Sequence, residues 1–189
     1  TPTRILWGGE PTGAPAYTPN PSNGRNGEFK DTLANSYTSG SLTSLYHIRA
    51  AHVADATDPV PLVFHLHGDG YEEYTNMAAG STTSVGNYYT QVAQDAGAII
   101  VIPRTPDTSS ATWWKLPSST TWLMALYNKI IGEYNIDLNR VFWSGYSGGA
   151  EEISYNVTAD YNNRWTGGGA MILGGGGASG MTGFAVTPT

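Results

Sequence analysis

The sequence of 189 residues contains no cysteine. This absence excludes disulfide bonds, thiolate metal sites and a cysteine nucleophile. Charged residues are scarce as well, at 13% of the chain, and only nine residues are lysine or arginine. The formal net charge is −6, and no run of basic residues is present that could neutralise a phosphate backbone or an anionic membrane. We therefore expect no nucleic-acid partner.

Long apolar runs are also missing. No stretch of about 18 apolar residues occurs, so the sequence predicts neither a transmembrane helix nor a membrane partner. The chain begins at Thr1 and carries no charged, apolar leader, which suggests that a leader was removed or is not part of this sequence. Because Thr, Ser, Asn, Gly and Tyr are frequent and Lys is rare, we expect a secreted, extracellular protein.

Hydrophobic residues make up 40% of the chain, which is enough for one globular domain of this size. Residues 1–28 hold five prolines with several Gly and Asn, a composition that sustains neither a helix nor a strand ladder. We predict an extended N-terminal arm over residues 1–28. Residues 29–189 then form the domain itself.

Short apolar runs alternate with helical patterns along this domain. The pattern of residues 42–53 is that of a half-buried edge strand, and short apolar runs bounded by Gly and Pro indicate buried parallel strands. Apolar residues three and four apart indicate helices. The predicted buried strands are residues 61–66, 98–102, 140–143 and 170–173, and the predicted helices are residues 85–96, 120–134 and 150–158. This alternation predicts an α/β fold, with a mostly parallel sheet and helices on both faces.

The sequence Gly-Tyr-Ser-Gly-Gly lies between a predicted strand and a predicted helix, with Ser147 at its centre. A tight strand-to-helix turn crowds its own backbone, so the positions two before and two after the nucleophile need to lack side chains, as Gly145 and Gly149 do. The alternative is an ordinary glycine-rich loop. Residues 174–177 are four glycines without such a serine, and we interpret them as a tight passage under the site.

Acyl transfer also needs backbone donors for the oxyanion of the tetrahedral intermediate. Gly148, the residue after the nucleophile, supplies the first amide. The loop His-Gly-Asp-Gly after the predicted strand 61–66 is placed to supply the second, through Asp69. Read alone, His67 is more often a core histidine bonded to backbone.

Three segments together resemble the secreted polyhydroxybutyrate depolymerase and feruloyl esterase branch of the α/β-hydrolases. They are residues 61–70 (PLVFHLHGDG), 137–141 (DLNRV) and 145–149 (GYSGG), and the resemblance spans about residues 42 to 175. It implies an α/β-hydrolase fold and ester hydrolysis by a Ser, His and Asp triad, without a cofactor. In that family the acid and the histidine follow the serine along the chain.

This sequence departs from the family pattern in the residues after Ser147. All four histidines (His47, His52, His65 and His67) precede Ser147, and only Asp160 lies usefully beyond it. Neither His65 nor His67 is expected to replace the base, because both belong to the strand and loop that build the oxyanion hole. We therefore expect an α/β-hydrolase domain that is incomplete at its C-terminal end. A second polypeptide from the same precursor, continuing beyond residue 189, should supply the Asp and the His and cover the open sheet edge.

Aromatic residues follow the strands whose loops gather over the site. Tyr71, Tyr146, Trp113 and Trp114 are candidate substrate-binding residues for a polyester, feruloyl or acetyl ester. For Trp113 and Trp114, ordinary packing is an equally good interpretation. Glu151 and Glu152 are expected on a solvated helix face, and no spacing of metal ligands occurs. Two function classes remain: a serine esterase, and a non-catalytic binding or assembly module with the hydrolase shape.

Overall fold

The three-dimensional structure is a computed structural model that describes residues 27–78, 91–113, 115–157 and 168–176. Most of the predicted arm of residues 1–28 lies outside these ranges, as does Trp114. The described residues form a six-stranded mixed sheet with helices on both faces. This confirms the predicted fold class.

The sheet combines an antiparallel half with a parallel half. Its order is β1-β2-β4-β3-β5-β6. The pairs β1/β2 and β2/β4 are antiparallel, whereas β3/β4, β3/β5 and β5/β6 are parallel. The strands are β1 (Thr32–Ser39), β2 (Leu42–Arg49), β3 (Val60–Leu66), β4 (Ile99–Pro103), β5 (Ile136–Tyr146) and β6 (Gly169–Leu173).

Helices cover both faces of the sheet. They are α1 (Glu72–Ala78), residues 91–95, α2 (Ser118–Glu133) and α3 (Gly148–Glu152), which continues into a π-helical turn (Ile153–Val157). A 3₁₀ turn (Ala51–Val53) follows β2. On one face Phe64 and Trp143 pack with α2, and on the other Ile100 and Ile102 pack with Ala93. The loops that follow β3, β4 and β5 meet at the carboxyl ends of these parallel strands, and the candidate residues lie there.

The prediction of an edge strand over residues 42–53 is wrong. The strand β2 lies between β1 and β4, and β1 forms the edge on this side of the sheet. The sequence of β1 is polar, TLANSYTS, so it lacks the apolar pattern by which strands are recognised. Only a few of its side chains turn inward, among them Tyr37, whose ring lies 5.8 Å from that of Trp122. A strand of this kind is defined by its partner rather than by its own hydrophobicity.

Other boundaries differ by less. The strand predicted at residues 140–143 extends over Ile136–Tyr146, and the helix predicted at 120–134 is Ser118–Glu133. Of the helix predicted at 85–96, the described residues 91–95 are helical, and Gly97 ends it with a φ of +65°. Residues 85–90 lie outside the description. After Ser147, α-helical bonding stops at Glu152 instead of continuing to 158, and the π-helical turn takes its place.

Candidate active site

Ser147 occupies a strained turn between β5 and α3. Its φ is +48° and its ψ is −116°, a combination that lies outside the ordinary left-handed region and is costly for a residue with a side chain. Two backbone hydrogen bonds hold it there. Its N–H donates to Leu173 O at 2.8 Å, and its own carbonyl accepts from Glu151 N at 3.0 Å. The turn is therefore clamped between β6 and the new helix.

Two glycines make the turn sterically possible. A Cβ on Gly145 would lie 2.6 Å from Gly149 C, and a Cβ on Gly149 would lie 2.3 Å from Leu66 O and 2.7 Å from His67 O. These obstacles are backbone atoms, which cannot swing away as a side chain can. The side-chain crowding expected from the sequence is thus present, and it brings α3 directly against the end of β3.

The glycine run after β6 passes close to Ser147. A Cβ on Gly175 would lie 2.5 Å from Ser147 O, and Gly174 and Gly176 have φ values of +67° and +86°. The described part of the run is therefore the tight passage that the sequence indicates. Gly177 lies outside the description.

The loop after β3 lies beside Ser147. A Cβ on Gly68 would be 3.4 Å from Ser147 Cβ, and a Cβ on Gly148 would be 3.7 Å from Asp69 N. Gly68 N already donates to Glu73 Oε2 at 2.9 Å. Among the described residues, neither the Asp69 amide nor the Gly148 amide donates a hydrogen bond to a protein acceptor. Within the described part of the chain, both amides therefore lie beside Ser147 without a protein acceptor.

Several bonds fix the conformation of this loop. Gly70 N donates to Ala111 O at 3.2 Å, Tyr71 N donates to Gly68 O at 3.3 Å, and Tyr71 itself has a φ of +64°. Glu73, at the start of α1, is buried and orients Gly68. Sequence reasoning missed Glu73, because a pair of glutamates at a helix start ordinarily faces solvent.

His67 is a structural residue of the loop. Its Nδ1 donates to Gly68 O at 2.6 Å, and its Nε2 accepts from Thr105 N at 3.0 Å, so both ring nitrogens are engaged with backbone. Burial lowers the pKa of His67 to about 4. Because both ring nitrogens are hydrogen-bonded to backbone, this neutral imidazole has no lone pair free to take a proton from Ser147.

The other three histidines are likewise committed elsewhere. His65 Nδ1 shares a hydrogen bond of 2.8 Å with Ser144 Oγ, and His52 Nε2 donates to Ala98 O at 2.9 Å. His47 accepts from Ala34 N through Nδ1 and donates to Tyr74 O through Nε2. Burial lowers the pKa of His65 to about 3 and that of His47 to about 4. None of the four histidines is hydrogen-bonded to Ser147.

The aromatic candidates separate into two groups. Tyr146 is 51% exposed beside Ser147, and Tyr71 is half-buried, with its hydroxyl donating to Asp107 O at 3.1 Å. Trp113 is 1% exposed, and its indole N–H donates to His67 O at 3.0 Å. Of the two interpretations open for Trp113, packing is therefore the one that its surroundings support: it anchors the loop from below.

Glu152 is not on a solvated face, contrary to expectation. It is 1% exposed and accepts from Thr120 Oγ and from Asn156 Nδ2, both at 2.6 Å. Burial raises the pKa of its carboxyl. The α3 helix is so short and so tightly packed that its second glutamate faces α2. Glu151 is half-buried.

In the described ranges, no cluster of three or more His, Asp or Glu side chains could hold a metal ion. The helices described there are also too short or too polar to cross a bilayer.

No family model and no curated protein matches the sequence. Solved structures do match. A thermostable esterase has a TM-score of 0.57 and 20% identity, over 79% of this chain and 43% of its own. The fluorophosphonate-binding serine hydrolase F of Staphylococcus aureus, substrate bound, has a TM-score of 0.54 and 11% identity, over 72% of this chain and 55% of its own. A ferulic acid esterase has a TM-score of 0.51 and 14% identity, over 74% of this chain and 58% of its own.

The fold is that of the α/β-hydrolases. At these identities the likeness concerns the fold alone, and this chain spans about half the length of the structures it matches. Ser147 lies in the strand-to-helix turn that the resemblance assigned to the nucleophile.

Proposed function

We propose that this chain is the nucleophile-bearing part of a serine carboxylic-ester hydrolase. One observation carries the proposal: the chain holds Ser147 in a costly backbone conformation beside two amides, of Asp69 and Gly148, that have no protein acceptor among the described residues. Strain of this kind persists only where the surrounding structure enforces it, and it clusters at active sites. A glycine-rich loop without a function would have no such need.

In the proposed reaction Ser147 Oγ attacks the ester carbonyl carbon and gives up its proton to a base. The oxyanion that forms is stabilised by the amides of Asp69 and Gly148. When the tetrahedral intermediate collapses, the alcohol leaves with the proton returned by the base, and an acyl group stays on Ser147. Water then attacks the acyl carbon by the same route and releases the acid.

The base has to come from outside this sequence. All four histidines have their bonds elsewhere, and Ser147 without a base is a poor nucleophile at neutral pH. We propose that a second polypeptide from the same precursor, encoded beyond residue 189, brings an Asp and a His to Ser147. No strand of the described residues pairs with the outer edge of β6, and such a polypeptide would join the sheet there.

The substrate class is proposed from the surface around Ser147. Tyr146 presents an exposed ring next to the nucleophile, and Tyr71 lies on the adjoining loop. Rings in these positions suit a feruloyl group or a polyester surface, in agreement with the resemblance to the polyhydroxybutyrate depolymerase and feruloyl esterase branch. The similarity to a ferulic acid esterase supports the same choice.

The test is covalent labelling with a fluorophosphonate, followed by peptide mass spectrometry, on the protein assembled with the polypeptide encoded after residue 189. We expect the label on Ser147 and its loss in Ser147→Ala. Ser41→Ala, at an exposed serine in the β1–β2 turn, is the matched control and should label normally. A panel of feruloyl, 3-hydroxybutyryl and acetyl esters then ranks the substrates.

Finding the label on another residue, or full esterase activity in Ser147→Ala, would refute the proposal. If the assembled protein neither labels nor cleaves any ester, the alternative is a non-catalytic binding or assembly module. The engagement of all four histidines away from Ser147 is the observation that favours this alternative.

A further inference from the structure

The loop after β4 is bonded to the loop that carries Asp69. We call residues 105–113 the β4 loop and residues 67–71 the β3 loop. Four hydrogen bonds between described residues join the two loops. They run from Gly70 N to Ala111 O (3.2 Å), from the Tyr71 hydroxyl to Asp107 O (3.1 Å), from Thr105 N to His67 Nε2 (3.0 Å) and from Trp113 Nε1 to His67 O (3.0 Å). The β4 loop therefore holds the β3 loop at several points along its length.

Asp107 folds the β4 loop around its own carboxylate. Its Oδ1 accepts from Ser109 N at 3.0 Å, from Ser109 Oγ at 2.7 Å and from Ser110 N at 3.1 Å, and its Oδ2 accepts from Ser110 Oγ. Its main-chain carbonyl accepts from Ala111 N at 3.1 Å. The side-chain bonds from Ser110 and Ser109 lower the pKa of Asp107 to about 2, so this carboxyl is ionised at neutral pH. Residues 107–111 therefore form a turn that one charged side chain closes.

Two residues where the loops meet have a left-handed backbone. Ala111 has a φ of +57° and Tyr71 has a φ of +64°. Such values are costly for a residue with a side chain, and they persist only where the surroundings enforce them. Ala111 ends the turn that Asp107 closes, and its carbonyl accepts from Gly70 N. The Asp107 turn therefore sets the position of the carbonyl that holds the β3 loop.

The Asp69 amide lies between two fixed peptide units. Gly68 O belongs to the same planar unit as Asp69 N–H, and it accepts from His67 Nδ1 at 2.6 Å. On the other side of Asp69, Gly70 N is held by Ala111 O. These two bonds fix where Asp69 lies and where its N–H points, because each peptide unit turns as a rigid plane. The bond from Gly70 depends on the Asp107 turn.

We propose that Asp107 is a positioning residue of the active site, which acts through the β4 loop to hold the Asp69 amide toward the developing oxyanion; this rests on the proposed function. Asp107 acts on the loop rather than on the ester, since the described bonds of its carboxylate go to Ser109 and Ser110. An oxyanion-hole amide bonds the oxyanion more strongly than the ester carbonyl. Loss of Asp107 should therefore lower kcat and leave KM unchanged.

Steady-state hydrolysis of 4-nitrophenyl acetate tests this inference, on the protein assembled with the polypeptide encoded after residue 189. Asp107→Ala should lower kcat by about 100-fold, as expected for a catalytic group displaced by about 1 Å, and change KM by less than about threefold. Asp107→Asn keeps an acceptor oxygen for the amides of Ser109 and Ser110. It should therefore restore kcat to within about threefold of the wild type.

The matched control is Asp137→Ala. Asp137 also closes a short turn, since it accepts from Asn139 N at 3.0 Å and from Arg140 Nε, but it lies at the opposite end of β5 from Ser147. Loss of this carboxylate should lower the urea midpoint and leave kcat unchanged. The comparison separates a positioning role from a general loss of stability.

Amide hydrogen exchange, followed by NMR, measures the β3 loop without catalysis. Asp107→Ala should speed the exchange of Gly70 N–H at least about tenfold, whereas Asp107→Asn and Asp137→Ala should leave it near the wild-type rate. If Asp107→Ala does not fold, the double variant Ser109→Ala/Ser110→Ala removes two hydroxyl donors and keeps the backbone bonds. It should lower kcat by about tenfold and also speed the exchange of Gly70 N–H.

The outcomes separate this inference from the esterase proposal. A wild-type kcat in folded Asp107→Ala, a loss confined to KM, or an equal loss of kcat in Asp137→Ala overturns the positioning role. Wild-type exchange of Gly70 N–H in Asp107→Ala overturns it as well. If the assembled wild-type protein cleaves no ester and Ser147 takes no label, the esterase proposal is refuted, and hydrogen exchange still decides whether Asp107 holds the β3 loop.

Discussion

Adding one methyl group at Gly149 should damage the site more than any other change of that size. In Gly149→Ala the new Cβ would lie 2.3 Å from Leu66 O and 2.7 Å from His67 O, so α3 and the end of β3 have to separate by about 1 Å to restore contact distances. Overpacking against side chains costs about 1–3 kcal/mol, and here the obstacle is backbone. We expect a loss of about 3 kcal/mol or more in the free energy of unfolding.

The same displacement moves the Gly148 amide away from the Asp69 amide. Because a misplacement of about 1 Å can cost 100-fold in rate, we expect fluorophosphonate labelling of Ser147 to slow by about that factor. The assays are urea unfolding, followed by tryptophan fluorescence, and the labelling rate. With a slope of 1–3 kcal/mol per molar urea, the midpoint should fall by at least about 1 M.

The matched control for Gly149→Ala is Gly132→Ala. Gly132 lies in α2, and a Cβ there meets nothing within 4 Å. This substitution should raise the free energy of unfolding by about 0.5–1 kcal/mol, because alanine is the better helix former. If Gly149→Ala unfolds at the wild-type urea concentration and labels at the wild-type rate, the tight contact between α3 and the end of β3 does not exist in solution. The steric argument for the strand-to-helix turn at Ser147 then fails as well.

Two further predictions concern strain and pH. Ser147→Gly and Ser147→Ala should both abolish labelling, but only glycine relieves the backbone strain at φ +48°. The free energy of unfolding of Ser147→Gly should therefore be about 1 kcal/mol higher than that of Ser147→Ala. Equal urea midpoints would refute the strain. As pH falls below 6.5, His47, His65 and His67 become protonated in the unfolded chain. In the folded chain they stay neutral until pH about 3 to 4, because burial lowers their pKa values. Stability measured in urea should fall with pH by up to about 1.4 kcal/mol per unit for each histidine, partly offset by the raised pKa of Glu152, and a flat profile from pH 6.5 to 4.5 would contradict this.

The strand-to-helix turn at Ser147 could be predicted from the sequence because its requirements are local. A serine between two glycines, with an apolar strand before it and a helical pattern after it, satisfies a steric rule that operates within five residues. The His-Gly-Asp-Gly loop was predictable for a similar reason, since it follows directly on a buried strand. The secreted location and the second polypeptide stay predictions.

The tertiary structure decided everything that depends on distant partners. Trp113 became a core residue because the His67 carbonyl lies within reach of its indole, and Glu152 was buried because Thr120 and α2 lie against its helix. The strand β1 forms because the backbone of β2 pairs with it, although its own residues are polar. Burial and pairing depend on contacts between residues far apart in the chain, and hydrophobic patterns in one segment do not contain that information.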